Sequence, residues 1–404
     1  MISVEEARQR ILAGFAPLPA ETVSVADALG RVLAEDLTAR VTQPPAAVSA
    51  MDGYAVRAAD VANVPVTLKQ IGRVPAGSTY AGTVGPGECV RIFTGAPLPP
   101  GTDTVIIQED VTADGDHITI REGAPKGRYV RPAGLDFRSG EVGIRAGRVL
   151  TVRDVGLAAA MNRPWLSVRR RPRVAIISTG DEVVMPGDPI GPGQIVSSNG
   201  LALAALITAA GGEPIQLGIA PDSVEALQRM ADGARGADLL VTSGGASVGE
   251  HDLVRASLGA KGLQVDFWKI AMRPGKPLMF GRMGDTPVLG LPGNPVSSLV
   301  CATVFLIPVL ARLLGIDDTN PTRLTARLGR DLGANDRRED YLRAALTTDA
   351  DGQLVATPFE AQDSSMLATL ARADCLVRRP PHAPAAKAGE IVDILTFGHG
   401  IIRL

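Results

Sequence analysis

The chain opens on a helical pattern. Ser3 and Glu6 have the spacing of a capping box ahead of Ala7-Arg8-Gln9-Arg10-Ile11-Leu12. A second short helix is predicted over 25–34. From Ala46 the texture changes to short β-branched runs broken by Gly and Pro, continuing to about Val149. Val105 to Glu109, then Asp114-Gly115, then His117 to Ile120 gives a hairpin signal. This stretch is expected to be a small β-rich domain inserted into a helical one. A helix over 152–161 then returns the chain to the first domain.

Between Arg173 and Gly315 strands and helices alternate. Val174-Ala175-Ile176-Ile177-Ser178 is a continuous run suited to a parallel strand buried on both faces. Asn199 to Ala210 predicts a helix stopped by Gly211-Gly212. A strand over 214–219, a helix over 223–234 and a strand over 238–241 follow. Such repetition predicts a doubly wound sheet with helices on both faces. The apolar run Leu299 to Leu310 belongs to a helix beginning near Asn294-Pro295; it is short for a membrane span and reads as a buried helix. Beyond Asp317 short strands return, with a turn at Asp349 to Gly352 and a closing strand at Ile391 to Leu395. The expected organisation is therefore residues 1–45 plus 141–171 as an N-terminal helical and linker domain, 46–140 as an inserted β-rich domain, 172–316 as an α/β domain, and 317–404 as a C-terminal β domain.

Composition agrees with several domains. The chain has 404 residues, more than one core usually serves, and 3% aromatic residues, so packing must rest on aliphatic side chains. A net charge of −2 excludes the broad basic surface of a general nucleic-acid binder. The run Arg169-Arg170-Arg171 with Arg173 reads better as a solvated linker than as a basic patch. Three scattered cysteines, Cys89, Cys301 and Cys375, lack metal-ligand spacing and fit a reducing compartment. The N-terminus shows no secretory signal, and a cytoplasmic protein is expected.

Candidate chemistry gathers in the loops that follow the strands of the predicted sheet, where α/β folds bind ligands. Ser178-Thr179-Gly180-Asp181-Glu182 follows one strand. Thr242-Ser243-Gly244-Gly245-Ala246-Ser247-Val248-Gly249, with Glu250-His251-Asp252, follows another. Glycines admit close backbone approach, and successive N–H groups and hydroxyls donate to anion oxygens. One such loop would be an ordinary tight turn. Two in one sheet, both flanked by carboxylates, point to a phosphate-bearing ligand. Neither a P-loop nor a G-x-G-x-x-G fingerprint is present.

Trp268 to Pro277, read as a strand, would put Lys269 and Arg273 on one face, with Lys276 after a Pro-Gly turn. Three cations so close suit an oxyanion or phosphate, the alternative being a solvated strand face. Asp181, Glu182, Asp222 and Asp252 supply hard oxygen ligands of the kind Mg²⁺ takes while bridging to phosphate. Asp222, just before Ser223, could equally be a helix cap.

Taken together, Ser49 to Ala55 (SAMDGYA), Thr94 to Pro97 (TGAP), Ser178 to Glu182 (STGDE), Ser197 to Gly200 (SSNG), Ser243 to Gly249 (SGGASVG), Arg273 to Pro277 (RPGKP) and Leu291 to Val296 (LPGNPV) resemble the MoeA family of molybdopterin molybdenumtransferases, whose relatives include the E domain of gephyrin. The likeness runs through nearly the whole chain. It implies a multidomain α/β subunit with a molybdopterin-binding, MogA-like centre and a small barrel-like C-terminal domain, usually a homodimer. It implies molybdate and adenylylated molybdopterin as substrates, Mg²⁺ as cofactor, and release of AMP as molybdate is ligated. It further implies docking with molybdopterin adenylyltransferase and other biosynthetic or acceptor proteins; the charge balance and the short apolar run set the expectation of no nucleic-acid and no membrane partner.

By position the resemblance makes Asp52, Thr94, Asp136, Glu182, Asp222 and Asp252 the catalytic candidates, with Glu182, Asp222 and Asp252 as metal ligands. Substrate-binding candidates are Ser178, Thr179, Gly180, Asn199, Ser243, Gly244, Gly245, Ser247, Gly249, Lys269, Pro292 and Pro295. Arg273, Lys276, Arg338 and Ser364 would shape an oxyanion pocket. Asp52 and Thr94 would face the sheet of a second subunit. Three departures stand out: Arg273 replaces a lysine, Leu135 replaces an acidic residue, and Asp363 puts a carboxylate beside Ser364. Two other readings remain, adenylylation of molybdopterin and a non-catalytic pterin-binding scaffold. The first would use only 173–315; retention of both carboxylates and cations weighs against the second.

Overall fold

The computed structural model describes residues 1–244, 253–316 and 323–397. Its centre is a six-stranded sheet in the order Glu213–Ala220, Arg173–Thr179, Leu239–Ser243, Thr286–Leu291, Met279–Met283, Leu263–Phe267. The first four strands are parallel, Met279–Met283 runs antiparallel to them, and Leu263–Phe267, antiparallel to Met279–Met283, runs with the first four again. Val174 and Ile176 enter one core layer, Ala175 and Ile177 the opposite one. Both faces are thus dry, which is why the strand carries no polar alternation.

The helix Asn199–Ala209 ends before Gly211, whose φ of +87° makes the turn into the next strand. Val224–Asp232 starts from Ser223, whose Oγ accepts from the Ala226 N–H at 3.1 Å. The cap is therefore Ser223, and the Asp222 carboxylate is spared that role. Pro295–Leu313 forms one continuous helix of 19 residues, buried in the largest core cluster. Its middle, Ala302–Leu306, widens to a π-turn. Pro308 lacks the N–H that Val304 would need four residues back, so the ladder loosens where it must.

The helix Val4–Ala13 begins at Ser3, which accepts from Glu6 N–H at 3.0 Å, and buries Val4, Ala7 and Ile11. Those three residues join the core of the α/β unit. Over 25–34 the expected helix is absent. Only Val25–Asp27 makes a single 3-10 turn; Gly30 at φ +73° interrupts it, and Val32 and Leu33 run extended to bridge Val149 and Val168. Burial of those two side chains outweighs a weak helical propensity. Ala20–Ser24 pairs with Trp165–Arg169, and the helix Val152–Ala160 opens with a capping box of Thr151 and Asp154.

The inserted region holds a sheet in the order Thr104–Ile107, Gly53–Val56, Glu88–Ile92, Val66–Val74, His117–Ile120, Val111–Asp114. The hairpin forms, with a different first arm. His117–Ile120 pairs with Val111–Asp114, whereas Thr104–Ile107 crosses to Gly53–Val56 at the far edge.

Trp268 to Pro277 is not one strand. Its one strand is Met272–Arg273, which pairs with Glu339–Asp340 outside the α/β sheet, while Ile270 makes an isolated bridge to Ile2. Pro274 has no N–H to extend that ladder. The C-terminal strands Glu339–Thr348, Leu354–Pro358, Arg323–Leu328, Ile391–Thr396 and Cys375–Arg379 close on themselves as a five-stranded barrel, the last pairing back with the first.

Candidate active site at the carboxyl edge of the sheet

Three parallel strands end side by side in hydroxyl-bearing or backbone-exposing residues. Ser178 and Thr179 terminate the first, Ser243 and Gly244 the second, Leu291 and Pro292 the third. The three hydroxyl residues are all buried beneath the edge. Asn199, the first residue of its helix, ties the floor together. Its Nδ2 donates to Ser243 Oγ at 2.9 Å and to the Gly293 carbonyl at 2.7 Å.

The glycines are required by space. A Cβ on Gly244, which sits at φ +93°, would lie 2.8 Å from both the carbonyl oxygen and Oγ1 of Thr179. A Cβ on Gly180, at φ +136°, would lie 2.6 Å from a Glu182 carboxylate oxygen. A Cβ on Gly200 would press on Ser178 Oγ at 3.1 Å. Thr179 Oγ1 is buried and has no hydrogen-bond partner among the described residues. An unsatisfied hydroxyl at the floor of an open edge is a group held ready for a ligand oxygen.

Carboxylates stand at the rim. Asp181 Oδ1 accepts from the Asp222 N–H at 2.9 Å, which draws the loops after two strands together. Asp181, Glu182 and Asp222 are exposed. Among the described residues no three His, Cys, Asp or Glu side chains converge on one point. Gly245, Ser247, Gly249 and Asp252 lie outside the described residues, so the metal set expected from sequence is represented here by Glu182 and Asp222.

A second cluster lies where the α/β unit meets the barrel. Arg273, half exposed, reaches Asp340 and Asp336, with Asn335 Oδ1 at 3.3 Å. Arg338 is drawn to the same Asp336 at 2.6 Å. The Asp336 carboxyl is held far below the usual range, chiefly by the Arg338 side chain and backbone N–H. Burial pushes Asp340 upward, and Arg273 opposes that push. Lys269 leaves this group: its Nζ sits 4.3 Å from the Trp268 ring centroid. The Lys276 carbonyl accepts from Ile270 N–H at 3.1 Å, anchoring the turn between them.

Ser364 connects barrel and sheet edge. Its Oγ accepts from Asn294 Nδ2 at 2.8 Å, and its carbonyl accepts from Val296 N–H at 3.1 Å beside Pro295. The exposed Asp363 carboxylate is engaged locally, its Oδ1 accepting from the N–H and hydroxyl of Ser365 at 2.8 and 2.5 Å. Behind this loop lies Arg343, 1% exposed, donating to Gln362 Oε1 at 3.0 Å and to the Asp363 carbonyl at 2.7 Å. Arg343, Asn294, Asp336 and Asp340 were not singled out by sequence reasoning. A charged residue inside the apolar run Tyr341-Leu342-Arg343-Ala344-Ala345 was the available signal for the first.

Asp52, Thr94 and Asp136 stand away from this edge in sequence and element. Asp52 Oδ1 accepts from both the N–H and the hydroxyl of Thr94, each at 2.8 Å, and these bonds hold its carboxyl below the ordinary value. Asp136 is exposed; its N–H donates to the Gln43 carbonyl at 3.0 Å.

Comparison with known proteins places this geometry. Residues 2–162 match the family model of the MoeA N-terminal region (domain I and II), residues 175–312 that of a probable molybdopterin binding domain, and residues 325–397 that of the MoeA C-terminal region (domain IV). A molybdopterin molybdenumtransferase of Haemophilus influenzae is 35% identical over 404 residues, covering 99% of each chain. Molybdopterin molybdenumtransferase 2 of Mycobacterium tuberculosis is 36% identical over 92% of this chain and 94% of its own. The crystal structure of a molybdopterin biosynthesis MoeA protein from Pyrococcus horikoshii superposes with a TM-score of 0.87 at 34% identity, covering 99% of this chain and all of that one. The chain belongs to the MoeA family of molybdopterin molybdenumtransferases.

Proposed function

We propose that the protein inserts molybdate into adenylylated molybdopterin, releasing AMP and leaving the molybdenum cofactor. The observation that carries this reading is the sheet edge: a buried hydroxyl floor, tied by Asn199 to Ser243 and Gly293, under exposed carboxylates. Family membership over the whole length supports it.

The chain's own groups divide the work. Ser178, Thr179 and Ser243, with the backbone opened by Gly180 and Gly244, are suited to donate to the phosphate oxygens of the nucleotide-linked pterin. Glu182 and Asp222, with Asp252 as the third ligand expected from sequence, are hard oxygen donors of the type Mg²⁺ takes, and the exposure of Glu182 and Asp222 leaves room for bound waters and phosphate. When bound, the ion would neutralise phosphate charge as the P–O–P link is hydrolysed. Arg343 holds the Ser364 loop from behind. Arg273 and Arg338 are partly spent on Asp336 and Asp340, so the positive field reaching molybdate comes with carboxylates built in.

We also assign a homodimer to the working enzyme. Asp52, fixed by Thr94 on the inserted sheet, is suited to complete the edge of a second subunit. The reading extends to a cytoplasmic protein that exchanges substrate with molybdopterin adenylyltransferase and with acceptor proteins.

The test is AMP release from adenylylated molybdopterin, with and without molybdate and Mg²⁺, in wild type and Asp252→Ala. Molybdate-dependent release that the substitution abolishes supports the transferase. Tight pterin binding without release under any condition leaves a scaffold instead, and ATP-dependent adenylylation would move the protein one step earlier.

A further inference from the structure

Asn294 occupies a helix N-cap and does not cap. Its side chain makes no bond to the first turn of Pro295–Cys301. Pro295 has no N–H, and the next donor, Val296 N–H, is taken by the carbonyl of Ser364 at 3.1 Å. Asn is among the favoured N-cap residues because its oxygen accepts from such donors. Here the barrel's main chain does the capping, and the Asn294 amide is turned outward to donate from Nδ2 to Ser364 Oγ at 2.8 Å.

The direction of that bond fixes more than position. A serine hydroxyl has one proton and two lone pairs. With one lone pair engaged by Asn294, Ser364 keeps its own O–H for another acceptor. Both residues are solvent-accessible in part, Asn294 being exposed and Ser364 half-buried, so that acceptor can enter from outside. Its polarity complements a tetrahedral oxyanion, which offers acceptors only.

We infer that Asn294 is a positioning residue that sets Ser364 as a hydrogen-bond donor to molybdate. The inference rests on the reading above that Ser364 belongs to the oxyanion pocket. Asn294 touches no substrate in this scheme. It acts across the junction between the α/β unit and the barrel, through one hydroxyl.

The test compares Asn294→Asp, Asn294→Ala and Ser364→Ala in the full-length protein, by the molybdate concentration dependence of AMP release. Binding of adenylylated molybdopterin and the melting temperature are measured in parallel. An aspartate preserves size and capping ability, yet it accepts the Ser364 proton and adds charge. Asn294→Asp is expected to raise the KM for molybdate about ten- to a hundredfold, the loss of a hydrogen bond to a charged group. Asn294→Ala is expected to raise it several-fold, with pterin binding within twofold of wild type in both. Lowering the pH toward the carboxyl's own titration should partly rescue the Asp variant and leave the Ala variant unchanged. If Ser364→Ala raises the KM while both Asn294 variants behave as wild type, the positioning role is overturned and the pocket reading stands. An unchanged KM in Ser364→Ala overturns the pocket reading itself. Should Asn294→Asp fail to fold, Asn294→Ala alone decides, since a wild-type KM there contradicts the proposal.

Discussion

The guanidinium of Arg273 spans the junction between the α/β unit and the barrel to meet the buried carboxylate of Asp340. Asp340 is 3% exposed, and its other oxygen has no partner among the described residues. Removing the cation leaves the buried carboxylate with only the weaker pull of Arg338 against its burial. Because Arg273 is half exposed, Arg273→Ala is expected to cost about 1–2 kcal/mol in urea unfolding, and Asp340→Asn in the same chain should recover most of it. A single-variant loss below about 0.5 kcal/mol would mean the pair behaves as an ordinary surface bridge.

Asp52 stays ionised throughout the neutral range, since both bonds from Thr94 lower its pKa from 3.8. The stabilising contribution of this carboxylate is present above 3.8 and is lost as pH falls through the depressed value. Thr94→Val removes the hydroxyl bond and keeps the N–H. It should move any acid limb of the activity profile that belongs to Asp52 upward, toward 3.8. A limb near neutral pH that shifts with this substitution would contradict the assignment.

Gly244 has no room for a methyl group. Its Cβ would meet the Thr179 carbonyl, which is backbone and cannot swing aside, and the φ of +93° disfavours any other residue. Gly244→Ala is expected to destabilise by about 1–3 kcal/mol and to depress activity more than stability explains. Differential scanning calorimetry beside turnover gives both values.

Asn199→Ala should separate activity from folding. It removes two bonds at the sheet edge and leaves the buried face of its helix intact. A fall of roughly tenfold or more in turnover, with a melting temperature within a few degrees of wild type, is the expected result. Equal losses in both would reduce Asn199 to a structural tie.

The three thiols should be inert in the native state. Burial pushes Cys89 and Cys375 up to about 12 and raises Cys301 as well. Labelling by a thiol reagent should appear only on unfolding. Fast labelling of any one cysteine in the folded protein would show that its core opens.

Strands that carry only core residues were legible from sequence. Val174 to Ser178 shows its two-sided burial as an unbroken apolar run, and the loops behind it declare themselves by glycine and hydroxyl. The helix Asn199–Ala209 announces both ends. What sequence could not supply was pairing at a distance. Arg273 and Lys269 look like one cationic face until Glu339–Asp340 arrives from the barrel and claims Met272–Arg273. Likewise 25–34 reads as a helix because the partner strand, Trp165–Arg169, lies more than a hundred residues away. The Asn294–Ser364 bond belongs to the same class: neither residue predicts the other.

The helix Val4–Ala13 carries a consequence for how the chain is made. Its buried stripe packs with residues of Ile307–Leu313, nearly three hundred positions later. At the usual pace of roughly 5–20 residues per second, that stripe waits tens of seconds for its counterpart. Val4, Ala7 and Ile11 must therefore remain shielded or transiently seated elsewhere during synthesis. An isolated fragment beginning at 172 would be born with a hole in its core where the first helix belongs.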